Sequence, residues 1–280
     1  MRKWQPFLQM LGVAIGGVAA AGVAHGADAD AGSSSWKTEF ASNVTIGAGL
    51  RLSNPSCSLT GDPNSHGCGL SANTAVWANG DDGNLNYKKN QFYTVFTSVT
   101  SELLATNATA GLKFMARGTA AYDFAADHTQ RTPLSGEARA QTVHAARLLD
   151  LWGEKDFDLG DQRAYFRLGN QVINWGESVF ASGGINATNS LDWQLLLRPG
   201  TQLKQALLPA PLLSFNTGLT DRSTLQAYYQ LAWNGNRYPA VGTFWSASDV
   251  FGKGTVPASF SSANFNVAGR DADQNVPTAG

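Results

Sequence analysis

Charge is scarce in this chain. Asp, Glu, Lys and Arg make up 15% of its 280 residues, against about a quarter in soluble domains. The formal net charge is −1, which argues against a nucleic-acid partner, whose phosphates require a strongly basic face. Cysteine is scarcer still, with only Cys57 and Cys68. Beyond the N-terminal segment there is no apolar run of about eighteen residues, so the mature chain has no predicted transmembrane helix, and any membrane crossing must be made of strands. Catalytic signatures are missing as well: no G-x-S-x-G, no H-E-x-x-H and no Gly-rich phosphate loop opening a helix. No enzymatic activity and no cofactor are expected. His66, His128 and His144 fall in or beside predicted loops. Triads are defined in space rather than by spacing, so a hydrolase stays open as a lesser alternative.

What the chain has in quantity is Gly, at 30 residues, and aromatic side chains, at 10%. Gly and aromatics with little charge suit strands that face lipid on one side, the alternative being a secreted soluble β-protein. The N-terminus reads as a secretory signal over residues 1–26. Arg2 and Lys3 supply the charged start, Met10 to Ala24 the small apolar stretch, and Ala24-His25-Gly26 a cleavage site. Both cysteines follow it, in the loop SNPSCSLTGDPNSHGCGLS. Export to an oxidising compartment predicts a Cys57–Cys68 disulfide. A metal site with His66 would have too few ligands at poor spacing, so none is expected.

Residues 27–280 alternate in the manner of strands. Phe40, Val44, Ile46, Ala48, Leu50 and Leu52 share one parity, and Asn43, Thr45, Gly47, Gly49 and Arg51 the other. Gly on the inner parity would leave that side free of bulk. In the run from Thr109 to Phe124, Leu112, Phe114, Ala116, Ala120 and Tyr122 oppose Lys113, Arg117 and Asp123. Further strands are expected over 92–104, 145–157, 163–175, 212–219 and 225–233. The run at 145–157 is the weakest, because Leu148-Leu149 and Leu151-Trp152 break the alternation, and a helix through 138–151 competes with it. Connections alternate between long (53–90, 125–143, 176–211, 234–280) and short (105–108, 158–161, 220–223), the habit of outer-membrane barrels.

The connection at 176–211 stands out. It carries helix-favouring runs at Leu191 to Leu197 and Thr201 to Leu208, separated by Arg198-Pro199-Gly200. Leucines on such amphipathic runs need an apolar surface. The segment is therefore expected to fold back into a barrel lumen, with an external cap as the alternative. Candidate lumen or constriction residues are Lys113, Arg117, Arg167, Gln171, Trp175, Glu177, Asn186, Asn189, Asp192, Arg198 and Lys204.

The motifs RLGNQVINWGES, GGINATN, LRPGTQLKQALLP and GLTDRSTLQAYYQLAW, in this order, resemble the proteobacterial outer-membrane family catalogued as "domain of unknown function 1302". LLDLWGEKDFDLGDQR before them and VGTFWSASDVFG after them look like it too. The resemblance implies an outer-membrane barrel, associated with uptake or export of hydrophobic or aromatic compounds, in a protein about twice this length. The reading is thus an all-β fold: an antiparallel, porin-like transmembrane β-barrel, present as its N-terminal part, with short helices in a lumenal insert. Its expected partners are outer-membrane lipid and a small hydrophobic solute. A structural or assembly role, docking a periplasmic or export-machine partner, is the competing function.

Overall fold

The computed structural model describes residues 14–15, 35–54, 82–130, 132–175, 188–201, 203–220, 222–247, 249 and 251–255. Cys57 and Cys68 with their expected disulfide, His66, Glu177, Asn186 and most of the expected leader over 1–26 lie outside the described residues.

Period-two alternation becomes a single antiparallel sheet. Its long strands are β2 (Trp36–Leu50), β3 (Phe92–Asn107), β4 (Leu112–Asp123), β5 (His144–Leu159), β6 (Gln162–Gln171), β9 (Ala210–Thr220) and β10 (Ser223–Gln230). A two-residue strand, β1 (Ala14–Ile15), pairs with Gly49 and Ala48 of β2. Neighbours follow sequence order except that β9 joins β6 across the insert. Among the described residues the sheet is open, with β1 and β10 each paired on one side only. The insert adds the pair β7 (Ser190–Leu191) and β8 (Leu207–Leu208), and two short helices, α3 (Trp193–Leu196) and α4 (Leu203–Ala206). Two more helices lie in connections: α1 (Asp82–Leu85) and α2 (Gly136–Thr142).

One face of the sheet is apolar and open. Phe40, Val44 and Ile46 of β2, Val99 and Leu103 of β3, Phe114 and Tyr122 of β4, and Leu168 of β6 are all exposed. Cross-strand register keeps them on that face, as in Phe40↔Leu103↔Ala116↔Leu151. Phe157 stacks on Phe166 and Phe215 packs tilted against it, across β5, β6 and β9, with centroids 5.4 and 4.7 Å apart. The opposite face carries Thr45, Thr100, Arg117, Asp123, Glu154 and Gln171, all buried.

The break in alternation on β5 is a β-bulge. Register shifts between Ala116 and Gly118 of β4, so Leu148 and Leu151 both stay exposed while Leu149 is buried. The extra residue lets one strand serve the same face before and after the shift, and the competing helix does not form. Gly169 of β6 lies opposite Trp152, at φ 137°. A Cβ there would meet the Leu151 carbonyl and the Trp152 backbone. β6 ends at Gln171, short of the expected Trp175. The inner-face glycines do not leave empty space, because a Cβ on Gly47 would strike the Phe96 ring, and one on Gly49 the Tyr93 ring.

Short turns at 108–111 and 160–161 lie at one end of the sheet, where β9 also ends at Thr220 and β10 begins at Ser223. Asn107 Oδ1 accepts from the Ala110 amide, and Gly111 turns at φ 60°. At the other end the long connections pack on one another. Asn86 bridges Thr132 and the Gly242 carbonyl. The Tyr87 hydroxyl donates to Ala126 O at 2.6 Å. Phe244 stacks on Tyr93 at 3.8 Å. Ala126, Leu134, Ala138, Val143 and Ala240 form the small apolar core of this cap.

Candidate functional site

The site is the polar face of the sheet together with the insert that covers it. Near the short-turn end, strands β4 to β6 set alternate charges side by side. Lys113 Nζ lies 2.6 Å from Glu154 and 3.2 Å from Asp156. Arg167 binds the other oxygen of Glu154 at 2.5 Å and stacks on Trp152, 4.0 Å from the ring centroid. Arg117 lies 2.6 Å from Asp150. Each cation has a carboxylate one strand away, so this part of the face is polar without a large excess of either sign.

Further toward the cap the insert docks. Asp192 is fully buried. It caps α3 by accepting from the Leu195 amide at 2.8 Å and pairs with Arg147 of β5. Gln205 donates to Thr100 Oγ1 at 3.2 Å, and Arg117 donates to the Lys204 carbonyl at 3.4 Å. Arg198 follows α3 and is buried against the sheet. It donates to Thr142 O at 3.1 Å and lies over the Phe96 ring at 4.6 Å. Its nearest carboxylate, Asp123, is 4.0 Å away. Burial pushes the Arg198 guanidinium below the usual arginine range, since desolvation disfavours the charged form. Asp123 is occupied elsewhere: Oδ1 accepts from the Val95, Ala125 and Ala126 amides, each at 3.0 Å, and Oδ2 from Thr94.

Arg198 lines two small cavities. One lies between insert and cap, beside Asp123, Tyr93 and Phe244. Thr142 Oγ1 also lines it and, among the described residues, is buried without a hydrogen-bond partner. The second lies between insert and sheet, lined by Phe96, Thr119, Arg147 and Leu195 among others.

Of the candidate lumen residues, Lys113, Arg117 and Arg167 lie on the polar face of the sheet, and Asp192 and Arg198 lie in the insert, buried against it. Gln171 and Asn189 serve as pins. Gln171 donates to Leu212 O and accepts from Ser214. Asn189 holds both the amide and the carbonyl of Ile173. Trp175 packs on Tyr228 of β10 at 5.3 Å, beyond the end of β6. Lys204 is exposed and contributes its backbone carbonyl. Arg147, Asp150 and Glu154 were not singled out. The parity of Arg147 with Ala145 would have revealed it had the bulge not obscured β5.

A family model described as "Protein of unknown function (DUF1302)" matches residues 8–280. The chain belongs to this family. No curated protein and no solved structure matches the chain. Membership agrees with the resemblance carried by the LGNQ…WG and LRPG motifs, and it assigns no activity to the DUF1302 fold.

Proposed function

We infer that this chain forms part of an outer-membrane β-barrel that passes small, largely apolar or aromatic solutes through a lumen narrowed by the 176–211 insert. The observation that carries the reading is the two-sidedness of the sheet. An exposed apolar face, with Trp36, Phe114 and Phe157 near the short-turn end and Phe92, Tyr122 and Phe124 near the loop end, suits lipid contact with aromatic girdles. In water such a face would be an aggregation hazard. The opposite face carries paired charges and is covered by a segment of the chain itself. Lys155 fits as well: it faces outward, and its ammonium reaches back to Ala110 O in the turn, as a snorkelling side chain does.

Balanced charges on the inner face favour weak ion selectivity and leave apolar solutes free to pass. The outer edge of β10, unpaired among the described residues, would need a neighbouring strand in lipid, where orphan amides cost several kcal/mol each. The N-terminal leader would deliver the chain to the periplasm, with the short turns on that side. Planar-bilayer recording of the full-length protein tests the reading. Discrete channels that widen when Ser182 to Gln205 is deleted are expected. Absence of any channel, with co-purification of a periplasmic partner, would favour the assembly role instead.

A further inference from the structure

We propose that the groove on the outward face between Phe114 and Leu168, with Lys155 at its short-turn end, is a site for one anionic phospholipid. The proposal deepens the reading above and rests on that face lying in lipid.

The groove is formed by two neighbouring rows of the sheet. Cross-strand register sets Ala105, Phe114, Gly153 and Leu168 in one outward row, and Ala116 and Leu151 in the next. Together they line a groove of about 270 Å³, larger than the roughly 150 Å³ that suffices for benzene. Ala105, Ala116 and Gly153 keep its floor low, and the Phe114 ring leans across the position a Gly153 Cβ would take. Phe114, Leu151 and Leu168 are exposed, so the mouth opens outward.

Charge selects the occupant. The next row toward the short turns is Asn107, Leu112, Lys155 and Phe166, about 7 Å away by strand rise. Among the described residues, Lys155 is the only Lys, Arg, Asp or Glu that the register of the large sheet puts on the outward face. On the inner face Lys113, Arg117 and Arg167 each meet a carboxylate. Lys155 meets none among the described residues and donates to Ala110 O. An ammonium carries several donors, so some remain for a ligand. A lone cation on a lipid face is costly unless it reaches a headgroup. Trp36 packs on Phe114 at 5.7 Å and Phe157 on Phe166 at 5.4 Å. Aromatic rings thus stand on both sides of Lys155, as they do at the headgroup level of a membrane. A phosphate at Lys155 gains a charge-assisted bond. Its acyl chain then runs away from the turns, along the groove and toward the membrane centre. A lipid of net negative charge is favoured over a zwitterionic one, because no neighbouring carboxylate balances the ammonium.

Native mass spectrometry of the full-length protein, folded in detergent, tests this with phosphatidylglycerol and phosphatidylcholine of matched acyl chains. The wild type is expected to retain its first phosphatidylglycerol about fivefold more tightly than phosphatidylcholine. Lys155→Gln should reduce that preference to less than about twofold. Ala116→Leu fills the groove and leaves Lys155; it should weaken both lipids at least about fivefold, with folding checked by heat-modifiable gel mobility. Glycerol 1-phosphate, a headgroup without a chain, should not displace bound lipid. Equal retention of the two lipids by the wild type, undiminished preference in folded Lys155→Gln, unchanged retention by folded Ala116→Leu, or displacement by glycerol 1-phosphate would each overturn the proposal. Should a variant fail to fold, the three probes on the wild type decide alone. The assay needs no pore. Lipid preference without conductance would count against the channel, and conductance without lipid preference against the site.

Discussion

Asp192→Ala should release the insert from the sheet. Asp192 does two things at once: Oδ2 neutralises Arg147 and Oδ1 caps α3. Removing the carboxylate leaves Arg147, whose side chain is 8% exposed, as a buried cation beside Arg198 and Arg237. Breaking such a pair costs about 3–5 kcal/mol. Loss of the cap adds about 1 kcal/mol. The insert's other bonds to the sheet run through Gln205 to Thr100, the Lys204 carbonyl to Arg117, and Arg198. Asn189 to Ile173, Gln194 to the Ala240 amide, and Leu191 and Trp193 to Arg237 tie it to neighbouring chain and should keep it attached there. A loss of about 4 kcal/mol corresponds to roughly three orders of magnitude in the opening equilibrium. Hydrogen exchange of peptides within 188–208 should therefore rise steeply, while amides of β3 and β4 stay protected. Asp192→Asn keeps the cap and should fall between. Arg147→Met combined with Asp192→Leu should recover most of the loss, because an apolar pair leaves no orphan charge. The reasoning is refuted if Asp192→Ala exchanges within twofold of wild type, or if the double variant is worse than the single one.

Other outcomes follow from the same geometry. Val99→Arg, midway along β3 on the face assigned to lipid, should lower yield of heat-modifiable folded protein, a penalty of about 2–4 kcal/mol near mid-bilayer; Gln226→Arg on the inner face should be mild, and equal damage would void the face assignment. Gly169→Ala, at φ 137° and against the Leu151 carbonyl, should destabilise by about 1–3 kcal/mol, seen as a lower denaturation midpoint. Burial raises the Tyr87 phenol above its ordinary value. Its neutral form is the one the fold stabilises, so the cap should hold below about pH 10 and weaken as pH rises above it. Protease sensitivity of the 124–143 connection should rise there, and Tyr87→Phe should flatten that dependence while costing the bond to Ala126 O.

Much of the sheet was legible because a half-exposed strand has to alternate. Leu112, Phe114 and Tyr122 against Lys113, Arg117 and Asp123 fix β4 by parity alone. Alternation failed where the backbone departed from it: the bulge at Leu148–Leu151 hid Arg147, and chain beyond Gln171 left the ladder although Ile173 and Trp175 kept the pattern. Side-chain partners were not legible, since Lys113–Glu154 and Arg147–Asp192 are set by cross-strand register and by where a remote insert lands. Gly47 and Gly49 misled for the same reason. Their purpose is to admit the rings of Phe96 and Tyr93 from the neighbouring strand, which no local pattern announces. The packing of the long connections into one cap also depends on distant pairs, such as Asn86 with Gly242.

On the proposed reading the insert lies on the polar face, inside a barrel in the membrane. Cross-linking tests it most directly. Thr100→Cys and Gln205→Cys, in a Cys57→Ser, Cys68→Ser background, place thiols on β3 and α4, whose native side chains meet at 3.2 Å. A short bifunctional methanethiosulfonate should join them in isolated outer membranes, and protease added to intact cells should leave the insert whole. No cross-link in folded protein, together with ready cleavage of the insert from outside, would place it away from the polar face and contradict the account.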